Sequence, residues 1–261
     1  MKKRNKIIFF LCLAVFLGAS AFGITYYLSV KENEKVYEKL SEDSAQSVSG
    51  KSEKEKTDTA DESEEEETPA PEIPVDFSSL QALNQDIYGW IQIPGTGVDY
   101  PIVQSGTDDS YYLNHTVEGT EGLPGAIYTE SYNGKDFFDG NTVIYGHNMR
   151  DGTMFGGLSA YADALYMAEH SEVVIYTPEH KFTYQIFAAV TYDNRHILHT
   201  YDCNDRMQLQ AFLNSLRQEG IQACWNDQLQ VTGEDRIITL STCNNNDEQR
   251  FLVEAVLIDE E

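Results

Sequence analysis

The chain has 261 residues, with 43 acidic against 18 basic side chains and a formal net charge of −25. That excess of negative charge argues against nucleic acid and against anionic lipid as direct ligands. The composition is also uneven along the chain, so length overstates the part able to fold around a core.

The N-terminus reads MKKRNK and then runs uncharged from Ile7 to Val30. As a helix at roughly 1.5 Å per residue that run is about 36 Å long, enough to cross a hydrocarbon core of about 30 Å. Lys2, Lys3, Arg4 and Lys6 precede it. The positive-inside rule therefore predicts a single-pass transmembrane helix within residues 1–30, its N-terminus cytoplasmic and everything after Val30 extracellular. Ala19-Ser20-Ala21 has the form of a signal-peptide cleavage site, but the apolar run continues through Ile24, Tyr26, Tyr27 and Leu28. Residues 31–75 are Lys, Glu, Ser, Asp and Thr with almost no large apolar side chain, and are expected to form an acidic disordered linker. The first dozen of them, KENEKVYEKLSE, are also able to extend the helix.

From residue 76 to 261 the composition is that of one globular domain. FSSLQALNQDI predicts a short helix, with Asp76 or Ser78 as N-cap and Leu80, Leu83 and Ile87 on one face. Short strand candidates follow, broken by Gly, Pro, Asn and Asp: GWIQIP, VDYPIV, GAIYTE, NTVIYGH, EVVIYT, KFTYQIFAAVTYD, DRIITLSTC and RFLVEAVLI. Helical stretches interrupt them near MFGGLSAYADALYMAEH and at DRMQLQAFLNSLRQEG, where Met207, Leu209, Phe212 and Leu216 mark an apolar stripe. The pattern predicts a mainly β fold, a closed or nearly closed barrel with peripheral helices.

Cys12 falls in the N-terminal run; Cys203, Cys224 and Cys243 fall in the domain. Three cysteines cannot all pair, so at least one is free, and Cys203 and Cys224 bracket a helix across which they could bond. RIITLSTC places Ile237, Thr239, Ser241 and Cys243 on one strand face. NNND is a strong turn signal, after which RFLVEAVL resumes a strand, so a hairpin brings Arg250 back towards Cys243. A cation there would favour the thiolate, the reactive form of cysteine, although a half-buried strand cysteine beside a surface arginine fits the same residues. A cysteine nucleophile needs an imidazole to manage protons, and His147 in NTVIYGHNM ends another apolar strand. RHILHTYDC, with His196, His199 and Cys203, has metal-like spacing but no fourth ligand, so no metal site is expected. Nothing in the chain calls for a cofactor.

TLSTC, the short turn, the returning arginine and its strand resemble the active-site hairpin of sortases, the cysteine transpeptidases of Gram-positive bacteria. NTVIYGHNMRDGTMFGGL resembles the histidine segment of class B, and GWIQIPGTGVDYPIVQ and GAIYTESYNGKDFFDGNT are similar to class B as well. The resemblance covers residues 78 to 259 and preserves the order His, Cys, Arg. It implies an eight-stranded β-barrel whose groove binds a sorting signal of LPxTG or NPxTx type. Carried over by position, it implies Cys243 as nucleophile, His147 as general acid/base and Arg250 as electrostatic stabiliser, with the Cys243–Arg250 interval shorter than in some class B members. Leu113 resembles a groove-lining position. Tyr145, two residues before His147, and Ser241 and Thr242, next to Cys243, are further candidates for substrate contact. The implied partners are surface proteins bearing sorting signals and, as acceptor, an amine of a peptidoglycan precursor or of a pilin. A cysteine peptidase releasing product to water and a non-catalytic peptide-binding barrel are the competing readings.

Overall fold

The computed structural model describes residues 3–51, 72–243 and 248–261. Helix α1 runs from Lys3 to Lys51. Among the described residues no helix is long and apolar enough to cross a membrane, so the single-pass anchor and the localisation drawn from it are not upheld. The helix does not stop where a membrane face would lie. It continues through KENEKVYEKLSE, where Asn33, Glu34 and Tyr37 are buried against the domain. Lys31 bonds Asp151 at 3.0 Å, and Tyr37 packs edge-on against Tyr100 with ring centroids 5.8 Å apart. The start of the expected disordered linker is thus helix, and residues 52–71 of that linker lie outside the described residues.

The first domain helix, α2 (Phe77–Leu83), starts where Asp76 accepts a hydrogen bond from the Ser79 amide, satisfying an otherwise orphaned donor. Among the described residues nine strands follow: β1 (Ile87–Gln92), β2 (Asp99–Val103), β3 (Ile127–Thr129), β4 (Asn141–Tyr145), β5 (Glu172–Tyr176), β6 (Lys181–Asp193), β7 (Ile221–Trp225), β8 (Ile237–Cys243) and β9 (Gln249–Glu260). They lie in the order β5-β1-β2-β3-β4-β8-β9-β6-β7, and β5 also pairs with β6. That last pairing closes an eight-stranded barrel and leaves β7 as an appended edge. β6 manages both by its length: Lys181–Gln185 pairs with β5, while Ala188–Thr191 pairs with β7. The edge strand IQACW carries no hydrophobic alternation towards a core, and its pattern is mostly exposed, which is why the sequence pattern does not announce it.

Strand alternation divides the apolar residues between two cores. Ile144, Ile238, Leu240, Val253 and Ala255 face the barrel interior with Trp90 and Phe182. Val143, Ile237, Leu252 and Val256 face outward, where α5 (Arg206–Glu219) covers them with Leu209, Phe212, Leu213 and Leu216. Asp205 caps α5 by accepting from the Met207 and Gln208 amides. Met207, expected on the apolar stripe, is 80% exposed because it sits in the first turn, away from the sheet. The other expected helical stretch is a 3-10 segment over Gly156–Ala162 followed by α3 (Ala164–Glu169). A four-residue helix, α4 (Ile197–Thr200), follows β6. Cys203 and Cys224 are both buried free thiols, so the bridge across α5 is not formed.

Candidate active site

The site is built where three neighbouring strands run out. β4 and β8 are parallel and in register from Asn141 opposite Ile237 to Tyr145 opposite Ser241. The ladder continues past the end of β4, because the Gly146 amide donates to the Ser241 carbonyl at 3.1 Å. Continuing this register brings His147 level with Cys243. Gly146 is required there: a Cβ would lie 2.6 Å from Ile127 and 2.7 Å from Phe155. Two side chains tie the strand ends together. The Thr242 hydroxyl donates to the Gly146 carbonyl at 2.8 Å, and Asn148 Nδ2 donates to the Cys243 carbonyl at 2.8 Å. On the other flank, antiparallel β9 places Arg250 directly opposite Cys243. The turn expected at residues 244–247 lies outside the described residues, but the short interval leaves Cys243 and Arg250 paired.

His147 is held at its far nitrogen. Nε2 lies 2.6 Å from the Leu113 carbonyl, which can only accept, so Nε2 carries a proton. The neutral ring then has its lone pair on Nδ1, available for proton transfer. Leu113 ends a 3-10 segment at Tyr111–Leu113, and Gly125, at φ +68°, packs beside both partners. A Cβ on Gly125 would stand 2.8 Å from the Leu113 carbonyl oxygen and 3.0 Å from His147 Cδ2. Cys243 is exposed, whereas burial pushes the Cys203 thiol up to about 12 and raises Cys224 as well. A cavity of about 220 Å³ opens at these strand ends, and Leu113, Tyr145, His147, Ser241, Thr242, Cys243 and Arg250 all line it. Every site residue expected from sequence therefore reaches one groove.

The sortase-domain family model matches residues 91–258, nearly two thirds of the chain. The chain belongs to the sortase family. Sortase B of Listeria monocytogenes is 32% identical over 190 residues, covering 72% of this chain and 76% of that protein. Sortase B of Staphylococcus aureus is 31% identical over 169 residues, covering 65% and 68% respectively. Among solved structures, a Staphylococcus aureus sortase B–substrate complex superposes with a TM-score of 0.70 at 28% identity, over 88% of this chain and 97% of that one. Sortase B of Bacillus anthracis in complex with AAEK1 gives a TM-score of 0.69 at 27% identity, over 89% and 99%. The class B expectation holds, and this sortase is a cysteine transpeptidase by family.

The groove of this sortase also contains groups that motif reading passes over. Tyr128 and Tyr145 stack with centroids 5.4 Å apart, because β3 and β4 pair them directly. Burial, then the nearby Glu130 carboxylate, raises both phenols far above their ordinary range, so they stay neutral donors. Glu130 follows β3 with the parity of Tyr128, the one signal in GAIYTE that puts it on the groove face. It accepts from His196 Nε2 at 2.6 Å and from the Tyr145 hydroxyl at 3.3 Å. His196 and His199 stack at 3.7 Å. Their metal-like spacing with Cys203 has a different use: His196 Nδ1 accepts the His199 amide at 3.2 Å and caps α4. Cys203 is buried elsewhere, in the core under α5.

Proposed function

We propose that this sortase cleaves a C-terminal sorting signal of LPxTG or NPxTx type after its threonine and transfers the carboxyl end to an amine. We assign the catalytic unit to residues 76–261. Cys243 gives its thiol proton to His147 Nδ1 and attacks the threonine carbonyl carbon. His147, still donating through Nε2 to the Leu113 carbonyl, passes that proton to the leaving amine as the C–N bond breaks. The thioacyl-enzyme that remains is resolved by an incoming amine of a peptidoglycan precursor or of a pilin. Arg250 donates to the oxyanion that develops on the carbonyl oxygen, where a positioned charge acts in the transition state more than in the ground state. Leu113, Tyr145, Ser241 and Thr242 line the groove that receives the signal. The reading is supported above all by the convergence of His147, Cys243 and Arg250 on adjacent strand ends. Incubating the protein with sorting-signal peptides should give a thioacyl adduct by mass spectrometry, absent in Cys243→Ala. An adduct that persists in that variant excludes Cys243 as nucleophile.

A further inference from the structure

Glu130 is a carboxylate in the reaction groove that, among the described residues, forms no ion pair with a lysine or arginine, although Arg195 and Arg250 line the same cavity. Its side chain is 16% exposed and lines the same cavity as Cys243 and His147. Both of its donors, His196 Nε2 and the Tyr145 hydroxyl, bond Oε2. Among the described residues nothing donates to Oε1. The charge state of the partner follows from its own bonds. His196 Nδ1 accepts the His199 amide, so it holds no proton, and the ring's single proton lies on Nε2, facing Glu130. A neutral imidazole and a neutral phenol therefore orient a full negative charge without cancelling it. The neighbouring guanidinium of Arg195 is committed to Asp193 and Glu219. A half-buried carboxylate left in this condition is stabilised by a cation arriving from the groove.

Sortase transpeptidation brings such a cation in its second half-reaction, since an unreacted amine acceptor is an ammonium ion near neutral pH. We propose that Glu130, oriented by His196 and Tyr145, is the subsite that takes the primary ammonium group of the acceptor, an inference that rests on the transpeptidase reading above. The ammonium donates to Oε1 and gives up one proton to the carboxylate. Its nitrogen then bonds the thioacyl carbonyl carbon, and the C–S bond to Cys243 breaks. The second proton leaves the new amide nitrogen through His147 and restores the Cys243 thiol, while Glu130 returns its proton to water. Hydrolysis has no ammonium to hold, so Glu130 favours amine over water as the resolving nucleophile.

The two half-reactions separate the possibilities. With the full chain and a peptide that forms the adduct, thioacyl formation is measured without acceptor. The ratio of aminolysis to hydrolysis is then measured against triglycine and against diaminopimelic acid. Glu130→Gln should acylate at the wild-type rate but show an acceptor KM raised about ten-fold, the loss expected of one charge-assisted hydrogen bond, with product shifted to hydrolysis. Unchanged acceptor dependence overturns the assignment. So does a parallel fall in acylation by a folded variant, which would place Glu130 against the sorting signal. If thermal melting shows Glu130→Gln unfolded, Glu130→Asp keeps the charge one methylene short and should raise the same KM several-fold with acylation intact; an unchanged KM there also overturns it. A wild-type protein that forms no adduct would instead refute the transpeptidase reading, an outcome distinct from each of these.

Discussion

Two rungs of the same ladder meet opposite fates. Cys243 pairs with Arg250 at the open end of β8 and β9, and Thr239 pairs with Glu254 on the same strand face, four residues deeper. At the open end the thiol is exposed. At the deeper rung Glu254 is 0% exposed, and burial pushes its carboxyl up to about 8. Cys203, which lines a cavity with Asn141 beside that rung, is driven to about 12 by the same loss of solvent. Both rungs are made of polar and ionisable residues, so residue type does not distinguish them. The difference is desolvation: covered by α5, ionisable groups are held neutral, and only where the strands run out into the groove can charge develop.

Thiol labelling probes that contrast most strongly. A thiol pushed to about 12 holds very little thiolate at neutral pH and Cys203 is buried besides, so iodoacetamide should modify the exposed Cys243 by orders of magnitude over Cys203. Peptide mapping of the native protein reads the ratio, and comparable labelling of Cys203 would break the comparison. His147→Ala should lower kcat by about 10²–10⁴-fold. If Arg250 has the stabilising role proposed for it, Arg250→Ala should cost about 10²–10³-fold in kcat with a smaller change in KM, because that role acts on charge that develops during the reaction. Steady-state kinetics on the sorting peptide measures both; a loss confined to KM would assign Arg250 to ground-state binding instead.

The open end was more legible in the sequence than the covered one. Cys243, His147 and Arg250 each end or begin a strand of β-branched residues beside a turn signal, and their joint spacing resembles a known family. The barrel followed from the same short alternating runs. Glu130 and His196 were missed as a pair because they meet only when the segment after β6 folds back over the end of β3, a contact across 66 residues of chain. The helical course of residues 31–42 stood in the sequence only as the alternative, an extension of the N-terminal helix. Its high charge reads as solvated chain, and what holds it is burial of Tyr37, whose hydroxyl donates to the Gly125 carbonyl and accepts from the Val117 amide. Glu254 was hidden for the opposite reason: RFLVEAVLI has one carboxylate among apolar residues, and only the α5 cover shows that it is sealed in.

The smallest effect on catalysis and the most specific effect on stability should come from that carboxylate. Thr239 Oγ1 lies 2.8 Å from Glu254 Oε2 and 3.1 Å from Asn141 Oδ1. One hydroxyl proton cannot serve both oxygens, so a protonated Glu254 completes the chain by donating to Thr239, which donates to Asn141. The folded value of about 8 lies above the unfolded value of about 4.3. Below the unfolded value both states hold the proton, and the stability is fully present. Between the two values the unfolded state binds fewer protons, so stability falls as pH rises, by at most about 1.4 kcal/mol per pH unit, and levels off above the folded value. Glu254→Gln supplies a neutral donor to Thr239 at every pH. The variant should therefore acylate close to the wild-type rate, yet melt at a higher temperature than wild type above pH 8, with the two curves converging towards pH 5. Melting temperatures that fall in parallel across that range would mean that Glu254 does not exchange its proton on unfolding, and that the deeper rung is not held neutral by its burial.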